Sequence, residues 1–385
     1  MLNRTLTLTD LTLFGVASIM GSGGFNLIGS GVRSGGSLWP VALGISAILV
    51  MASSFTCAGA FERFKDNTSE SDMIKSIFGP YAEGAGAIAI LVYNIVSIIV
   101  ILVSCTKMMC PTASWSSQVT LTIFFLASMT GLSLLGIEMN AEMIGVISGA
   151  LVGILVIASL FGIWGVVQHG GATTQAPTHT GFMNSLWMFF FVLVGFDAIM
   201  KFSEESKYVE DVPKAFYLAN GISILLTLGV ATAIAIWLPN LTYVQEKSAI
   251  GHLFAAFFGG WITEPFKWIV LLFLLLTTFV VFLATTRYLY GLGENHEWLS
   301  GLTGLNGAKA PWVAIASVFG SGSVLALMNN TDSLVKITDL GFASIASLIA
   351  GSVAVADWRD GKIGSAAISG ATGASFLGLI ASAFL

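Results

Sequence analysis

The chain has 385 residues, 55% of them hydrophobic and only 10% charged, with a formal net charge of −5. Ordinary soluble domains carry roughly 25% charged residues, so a soluble enzyme or binding module is excluded. Apolar stretches of about 20 residues, each long enough to cross roughly 30 Å of hydrocarbon, recur throughout, and a single integral membrane domain is expected.

Windows of about 19 residues predict about eleven helices, near 10–31, 38–61, 81–104, 119–136, 141–167, 182–205, 213–238, 265–290, 311–328, 333–356 and 363–385. Pro40, Pro213, Pro265 and Pro311 stand at or near the starts of four of them, where proline is tolerated. Met1-Leu2-Asn3-Arg4 leads into a span too long for a signal-peptide core and without a small-residue cleavage site, so no cleavable signal peptide is expected.

The first expected helix contains Ile19-Met20-Gly21-Ser22-Gly23-Gly24-Phe25. Glycine costs a helix interior about 1 kcal/mol relative to alanine, and three fall together here. A break at this depth must face protein or a cavity, because hydrocarbon offers freed backbone groups no partner. Such a break would aim the amides of Ser22, Gly23 and Gly24 at an anion, since a helix N-terminus is positive. The carbonyls of Ile19 and Met20 would face a cation, and a zwitterion would satisfy both. A packing seam of small residues is the competing reading, and it fits Gly29, Gly31, Gly35 and Gly36 well.

Asn94 sits mid-span in the third helix, where its amide needs partners. The sixth helix carries a second glycine interruption, where Phe189-Phe190-Phe191-Val192-Leu193-Val194-Gly195-Phe196 runs into Asp197. A carboxylate inside an apolar span is a functional candidate by default. Lys201 and Glu205 follow at i+4 and i+8, so all three are expected on one helix face, able to pair; an ion network with Lys201 snorkelling to the cytoplasm is the alternative. Phe190, Phe191, Phe279 and Phe282 suit either a stacking role or the core. Thr277, Thr278, Thr285 and Thr286 suit helix–helix hydrogen bonding better than ion coordination. The interruptions lie five helices apart, in helices that cross in opposite directions. Paired interruptions of this kind mark the site of inverted-repeat secondary transporters.

Lysine and arginine set the orientation. With the N-terminus in the cytoplasm, 11 of the 16 basic residues fall inside and 5, Arg33, Lys107, Lys247, Lys267 and Lys336, outside. Cys57, Cys105 and Cys110 form no disulfide framework and no metal spacing; they read as buried free thiols, with a Cys105–Cys110 pair at a loop as the alternative. The four histidines lack ligand spacing, and no HExxH occurs. No cofactor, no catalytic residue and no nucleic-acid partner is expected.

Three segments in register carry a family likeness. Residues 19–25 resemble the helix 1 signature of the amino acid–polyamine–organocation superfamily. Gly195-Phe196-Asp197, Ser203-Glu204-Glu205 and Asp211-Val212-Pro213 resemble its helix 6 and the following loop, and Thr286-Arg287-Tyr288-Leu289-Tyr290 with Pro311-Trp312-Val313 resembles its helices 8 and 9. The chain is most similar to the basic amino acid/polyamine antiporter branch, including the arginine/agmatine exchanger. That resemblance implies an all-α five-plus-five inverted repeat, with halves near 10–167 and 182–356, discontinuous helices 1 and 6, and 363–385 as an extra helix.

It also implies an amino acid or amine transporter of the cell membrane, working by exchange and open to homo-oligomerisation, with proton- or sodium-coupled uptake on the same fold and a non-transporting sensor or accessory subunit as the alternatives. The amides of Ser22 and Gly23 would take the substrate carboxylate, and the carbonyls of Ile19 and Val194 the amino group. Asn94 would touch substrate, Phe191 would gate it, and Asp197 would answer to pH. The sequence departs from the family at Lys65 and Asn67-Thr68-Ser69-Glu70, which replace the usual proline and paired glycines after helix 2. The helix 5 lysine of proton-coupled relatives aligns with Leu151, which favours exchange over proton symport, and the helix 8 aromatic falls near Val281 with Phe282 adjacent. Asn295-His296 stands for the usual Asp-Gly, and no twelfth helix is expected.

Overall fold

The computed structural model describes residues 2–169, 178–240, 249–328 and 331–382, without the side chains at 21–23, 26, 331–333, 335, 336, 339, 379 and 382. Among the described residues the chain is α-helical, running α1 (Leu8–Asn26), α2 (Ile28–Gly35), α3 (Trp39–Phe64), α4 (Ser69–Phe78), α5 (Pro80–Met109), α6 (Trp115–Ser133) and α7 (Ile137–His169). It continues through α8 (His179–Leu193), a 3-10 segment (Phe196–Glu205), α9 (Asp211–Trp237), α10 (Ala249–Phe258), α11 (Thr263–Asn295), α12 (Trp312–Ala326), α13 (Thr331–Arg359) and α14 (Ile363–Ser382). Every one of the eleven expected helices has a counterpart. The short α4 and α10 are additions in connections where none was expected.

Among the described residues, seven helical stretches are long and apolar enough to cross a membrane. The apolar part of α1, with α10 and α12, is shorter, and α6 and α14 are diluted by Ser, Thr and Gly. Burial sorts the spans into layers. The α11 stretch buries 78% of its most apolar window and α7 only 28%, so α11 is central and α7 peripheral. The exposed Val146, Ile157, Leu160, Ile163 and Val167 of α7 form a lipid-facing surface.

Helices in lipid associate through small residues that let backbones approach. The α7–α9 contact is built that way. A Cβ on Gly162 would meet the Gly229 carbonyl oxygen at 2.6 Å, and one on Gly229 would meet the Ser159 side chain at 2.4 Å. The α2–α8 seam repeats the device: a Cβ on Gly31 would touch the Phe189 ring at 3.0 Å, while Ser185 Oγ donates to the Gly31 carbonyl at 2.7 Å. The packing reading of Gly31 and Gly35 therefore holds.

Of the two expected discontinuous helices the sixth is broken, whereas the first shows no break at its glycines. Helix α1 runs through Gly21–Gly24 to Asn26, and Leu27, which joins it to α2, keeps right-handed helical dihedrals at φ −110° and ψ −19°. Glycine permits a break without compelling it: about 1 kcal/mol per glycine is less than the several kcal/mol lost for each backbone group left unpaired in an apolar surrounding. In the sixth helix the break falls where expected, at Val194 and Gly195.

The 3-10 segment is anchored from three sides. Glu205 takes a bidentate pair from Arg287 of α11, Nε to Oε2 at 3.0 Å and Nη2 to Oε1 at 3.1 Å, with both residues fully buried. Asn67 Oδ1 accepts from Ser203 Oγ at 2.8 Å and from the Glu204 amide at 3.2 Å. The amides of Thr5 and Leu6 both donate to the Glu205 carbonyl at 3.0 Å. Elsewhere Arg63, at the end of α3, bridges Asp357 and Asp360 at 2.6 and 2.7 Å. Cys57 and Cys105 are buried free thiols as expected, whereas free Cys110 is exposed just past the end of α5. Lys247 lies outside the described residues.

Two stability predictions follow from these contacts. Gly162→Leu drives a side chain into the α9 backbone and lowers the thermal midpoint of the purified protein by several degrees; Gly149→Leu, with open space around it, leaves it unchanged. Arg287→Met strands the Glu205 carboxylate and destabilises by about 3–5 kcal/mol, and adding Glu205→Gln recovers part of that loss in the same denaturation assay.

Candidate functional site

Between α8 and the 3-10 segment the chain leaves helical geometry for two residues. Val194 is extended, and Gly195 has φ 123° and ψ −4°. A side chain is strained at that φ, and a Cβ there would also lie 2.9 Å from the carbonyl oxygen of Ser18 in α1. Glycine is thus required twice. The bonds flanking the break are long, with the Val194 amide on the Phe191 carbonyl at 3.4 Å and the Ala198 amide on the Gly195 carbonyl at 3.3 Å.

The break opens on a cavity of about 100 Å³, counted over the positions a water centre can occupy. That equals roughly seven to ten waters at 10–15 Å³ each, the scale of an amino acid. Its walls come from α1, α5, α8, the 3-10 segment, α11 and α13. Phe190, Phe191, Trp187 and Phe342 supply aromatic surface, and Ser18, Asn94, Thr277 and Asp197 supply polar groups. Thr277 Oγ1 is committed to the Ala17 carbonyl at 2.6 Å, the interhelical role expected for it. Ser18 Oγ and Asn94 Nδ2 are buried without a hydrogen-bond partner. An orphaned buried donor costs about 1–3 kcal/mol, so two of them beside one cavity mark a place made to meet polar groups.

Asn94, Phe191, Val194, Gly195 and Asp197 therefore meet at the cavity wall. Other candidates do not. Ile19 and Met20 are fully buried away from it, Met20 with its sulfur 3.5 Å from the Thr227 hydroxyl. Gly24 packs in α1, where a Cβ would meet the Met20 methyl at 3.2 Å. Ser22 and Gly23 lie outside the described side chains, and α1 is helical across them. Phe282 is fully buried in the core, and Val281, about 100° around the helix, lines the cavity in its place. Ser18, Tyr93, Thr277 and Phe342 were not singled out as ligands from the sequence. Ser18 and Tyr93 adjoin residues that were, and Thr277 shares a face with Val281 at i+4.

Behind the cavity lies a buried charge cluster. Lys201 Nζ is 2.5 Å from Asp197 Oδ2 and 3.8 Å from Glu70 Oε2. Tyr93 Oη donates to the same Asp197 oxygen at 2.5 Å, and the ammonium stands 5.8 Å and 6.0 Å from the ring centroids of Tyr93 and Tyr288. The Asp197–Lys201 pair matches the i+4 expectation. Lys201 is fully buried and does not snorkel. Glu205 does not join the pair, because it is claimed by Arg287 from α11. Glu70, from the amphipathic α4 outside the spans, takes its place. Burial pushes the Glu70 carboxyl up to about 7, with Lys201 opposing and Asp197 adding to the shift. A second, smaller cavity of about 20 Å³ touches Glu70, Cys57, Tyr93 and Asp197, and Thr372 and Phe376 of α14 close it. Asp197 and Tyr93 border both cavities.

Comparison with known proteins agrees with this arrangement of apolar spans around a polar cavity. No curated protein matches the chain in sequence. The amino acid permease family profile matches residues 6–385. The chain belongs to the amino acid permease family and is a multi-pass membrane transporter of amino acids.

Proposed function

We propose that the chain is an exchanger that carries an amino acid or related amine across the cell membrane by alternating access, with its N-terminus in the cytoplasm. The observation that carries this reading is the cavity at the Val194–Gly195 break, with Ser18 and Asn94, whose Oγ and Nδ2 are buried without a hydrogen-bond partner, among its lining residues. Those two donors suit a carboxylate. The C-terminal end of α8, negative by its dipole, suits an ammonium at the Val194 carbonyl, with Asp197 nearby. Phe191 caps the guest. The two halves, near 10–167 and 182–356, rock against each other and expose the cavity to each side in turn. No covalent step is required. Leu151, fully buried in α7, offers no titratable group for symport at that position, which favours exchange, as does the likeness to the arginine/agmatine branch.

The test is counterflow into proteoliposomes holding purified full-length protein and a mixture of the twenty amino acids with putrescine. Uptake of the labelled mixture is expected only when the lumen is loaded; uptake into empty vesicles driven by an ion gradient sinks the exchange reading. Asn94→Ala removes a donor to a charged group, about 1.5–3 kcal/mol, and raises the half-saturation concentration roughly 10- to 100-fold. Gly195→Ala forces a Cβ against Ser18 at a strained φ and lowers counterflow at least about tenfold, a barrier change of about 1.4 kcal/mol, with the protein still in the membrane fraction.

A further inference from the structure

The contacts above hold the two charged ends of an amino acid and leave its side chain without a partner. Among the described residues that line the larger cavity, most polar groups are already spent within the protein. Ser97 Oγ donates to the Tyr93 carbonyl at 2.7 Å, Thr338 Oγ1 to the Leu334 carbonyl at 3.0 Å, and Thr277 Oγ1 to the Ala17 carbonyl at 2.6 Å. Tyr93 Oη donates to Asp197, whose charge Lys201 meets at 2.5 Å. Glu70, the second carboxylate of the charge cluster, borders only the smaller cavity of the two. Ser18 Oγ and Asn94 Nδ2 are left over, and both go to the guest's carboxylate.

We propose that the remainder of the larger cavity is a side-chain pocket for a neutral, apolar amino acid of the size of leucine, and that Ile101 and Trp187 close its far end. The inference rests on the transport reading above and names its substrate class. It sets the chain apart from the basic amino acids and polyamines of the branch that the sequence resembles.

Helix register places the pocket. Ile101 stands seven residues after Asn94 on α5, and both line the cavity. Seven residues make two turns, so the two share a face about 10 Å apart along the axis. Trp187 of α8 stands one turn before Phe191 and two before the break. Helices α5 and α8 are the third and sixth spans and cross in opposite directions. Going forward from Asn94 and backward from Val194 therefore leads to the same end of the cavity. Val100 lines the cavity beside Ile101. Asp197 follows the break, on the other side of it from Trp187, and so lies at the guest's amino end.

The chemistry of that far end selects the guest. A lysine or arginine side chain reaching it would exchange its water for Val100, Ile101 and Trp187. An aromatic face attracts a cation. With no carboxylate at this end among the described residues, that attraction does not offset the desolvation of an ammonium. A diamine brings no carboxylate and leaves Ser18 and Asn94 unpartnered, at a cost for each. An aliphatic side chain gives up no hydrogen bond and takes apolar surface out of water.

Calorimetry on the full-length protein in lipid nanodiscs tests this, with L-leucine, L-alanine, L-lysine and putrescine as probes. L-leucine should bind at least about tenfold tighter than each of the other three, the discrimination an apolar pocket provides. Ile101→Ala should weaken L-leucine about tenfold and leave L-alanine, whose methyl group does not reach residue 101, unchanged. The milder Ile101→Val should weaken L-leucine about fourfold, the worth of one buried methylene, and it decides the point if the alanine variant does not fold.

L-lysine or putrescine binding as tightly as L-leucine overturns the substrate class. Substitutions at Ile101 that weaken L-leucine and L-alanine alike, or neither, overturn the placing of the pocket. Binding needs no transport, so L-leucine binding without counterflow refutes the exchanger reading and not the pocket. Counterflow carried by L-lysine refutes the pocket and not the exchanger reading.

Discussion

The contact of Gly195 with the Ser18 backbone is the interaction on which the rest of the site depends. A chain that leaves helical geometry in an apolar span needs neighbours that take up its loosened hydrogen bonds. Here α1 supplies the surface, and α9, α11 and α7 pack around α1 to hold it there. Because a Cβ at 195 would fall 2.9 Å from the Ser18 oxygen, the two backbones can meet only through glycine. The space left beside that meeting point is the cavity, and its polar walls are the parts of α1, α5 and α11 that the break brings together.

The same scarcity of water governs the charges. Lys201, Asp197, Glu205, Arg287 and Glu70 are all buried, and the protein supplies the opposite charges near them, two cations for three carboxylates. The Glu205–Arg287 pair is bidentate and closed, and it serves as an anchor for the 3-10 segment. The Asp197–Lys201–Glu70 group is open, with one carboxylate in excess and a cavity on each side of Asp197. Satisfied polar networks rigidify and unsatisfied ones are poised to change. The two clusters, only a turn or two apart along one segment, divide along that line.

Much of this was legible in one dimension. Eleven helices could be read from hydropathy, because the bilayer imposes a length and a polarity that each span meets by itself. The break at Gly195 was readable for a local reason: a glycine beside a carboxylate inside an apolar run is doubly unfavourable in a continuous helix. The run at Gly21–Gly24 carried the same signal and misled, since helix continuity there depends on whether neighbouring backbone offers substitute partners, and none is forced on it. Phe282 and Val281 show a finer limit. They are adjacent in sequence and differ in role only by rotation about α11, which packing against other helices sets.

The sequence by itself determined the class of protein, the approximate places of eleven of its helices, the break in the sixth, and the pairing of Asp197 with Lys201. All of these are properties of residues close in the chain, where helix geometry converts spacing into contact. Only the tertiary structure decided that Glu205 pairs with Arg287, 82 positions away, that Ser18 and Asn94 face one cavity, and that Glu70 completes the buried cluster. Those contacts join helices whose relative rotation and depth arise from small-residue seams such as Gly162 with Gly229. No local pattern encodes them, because the energy of a seam belongs to both helices at once.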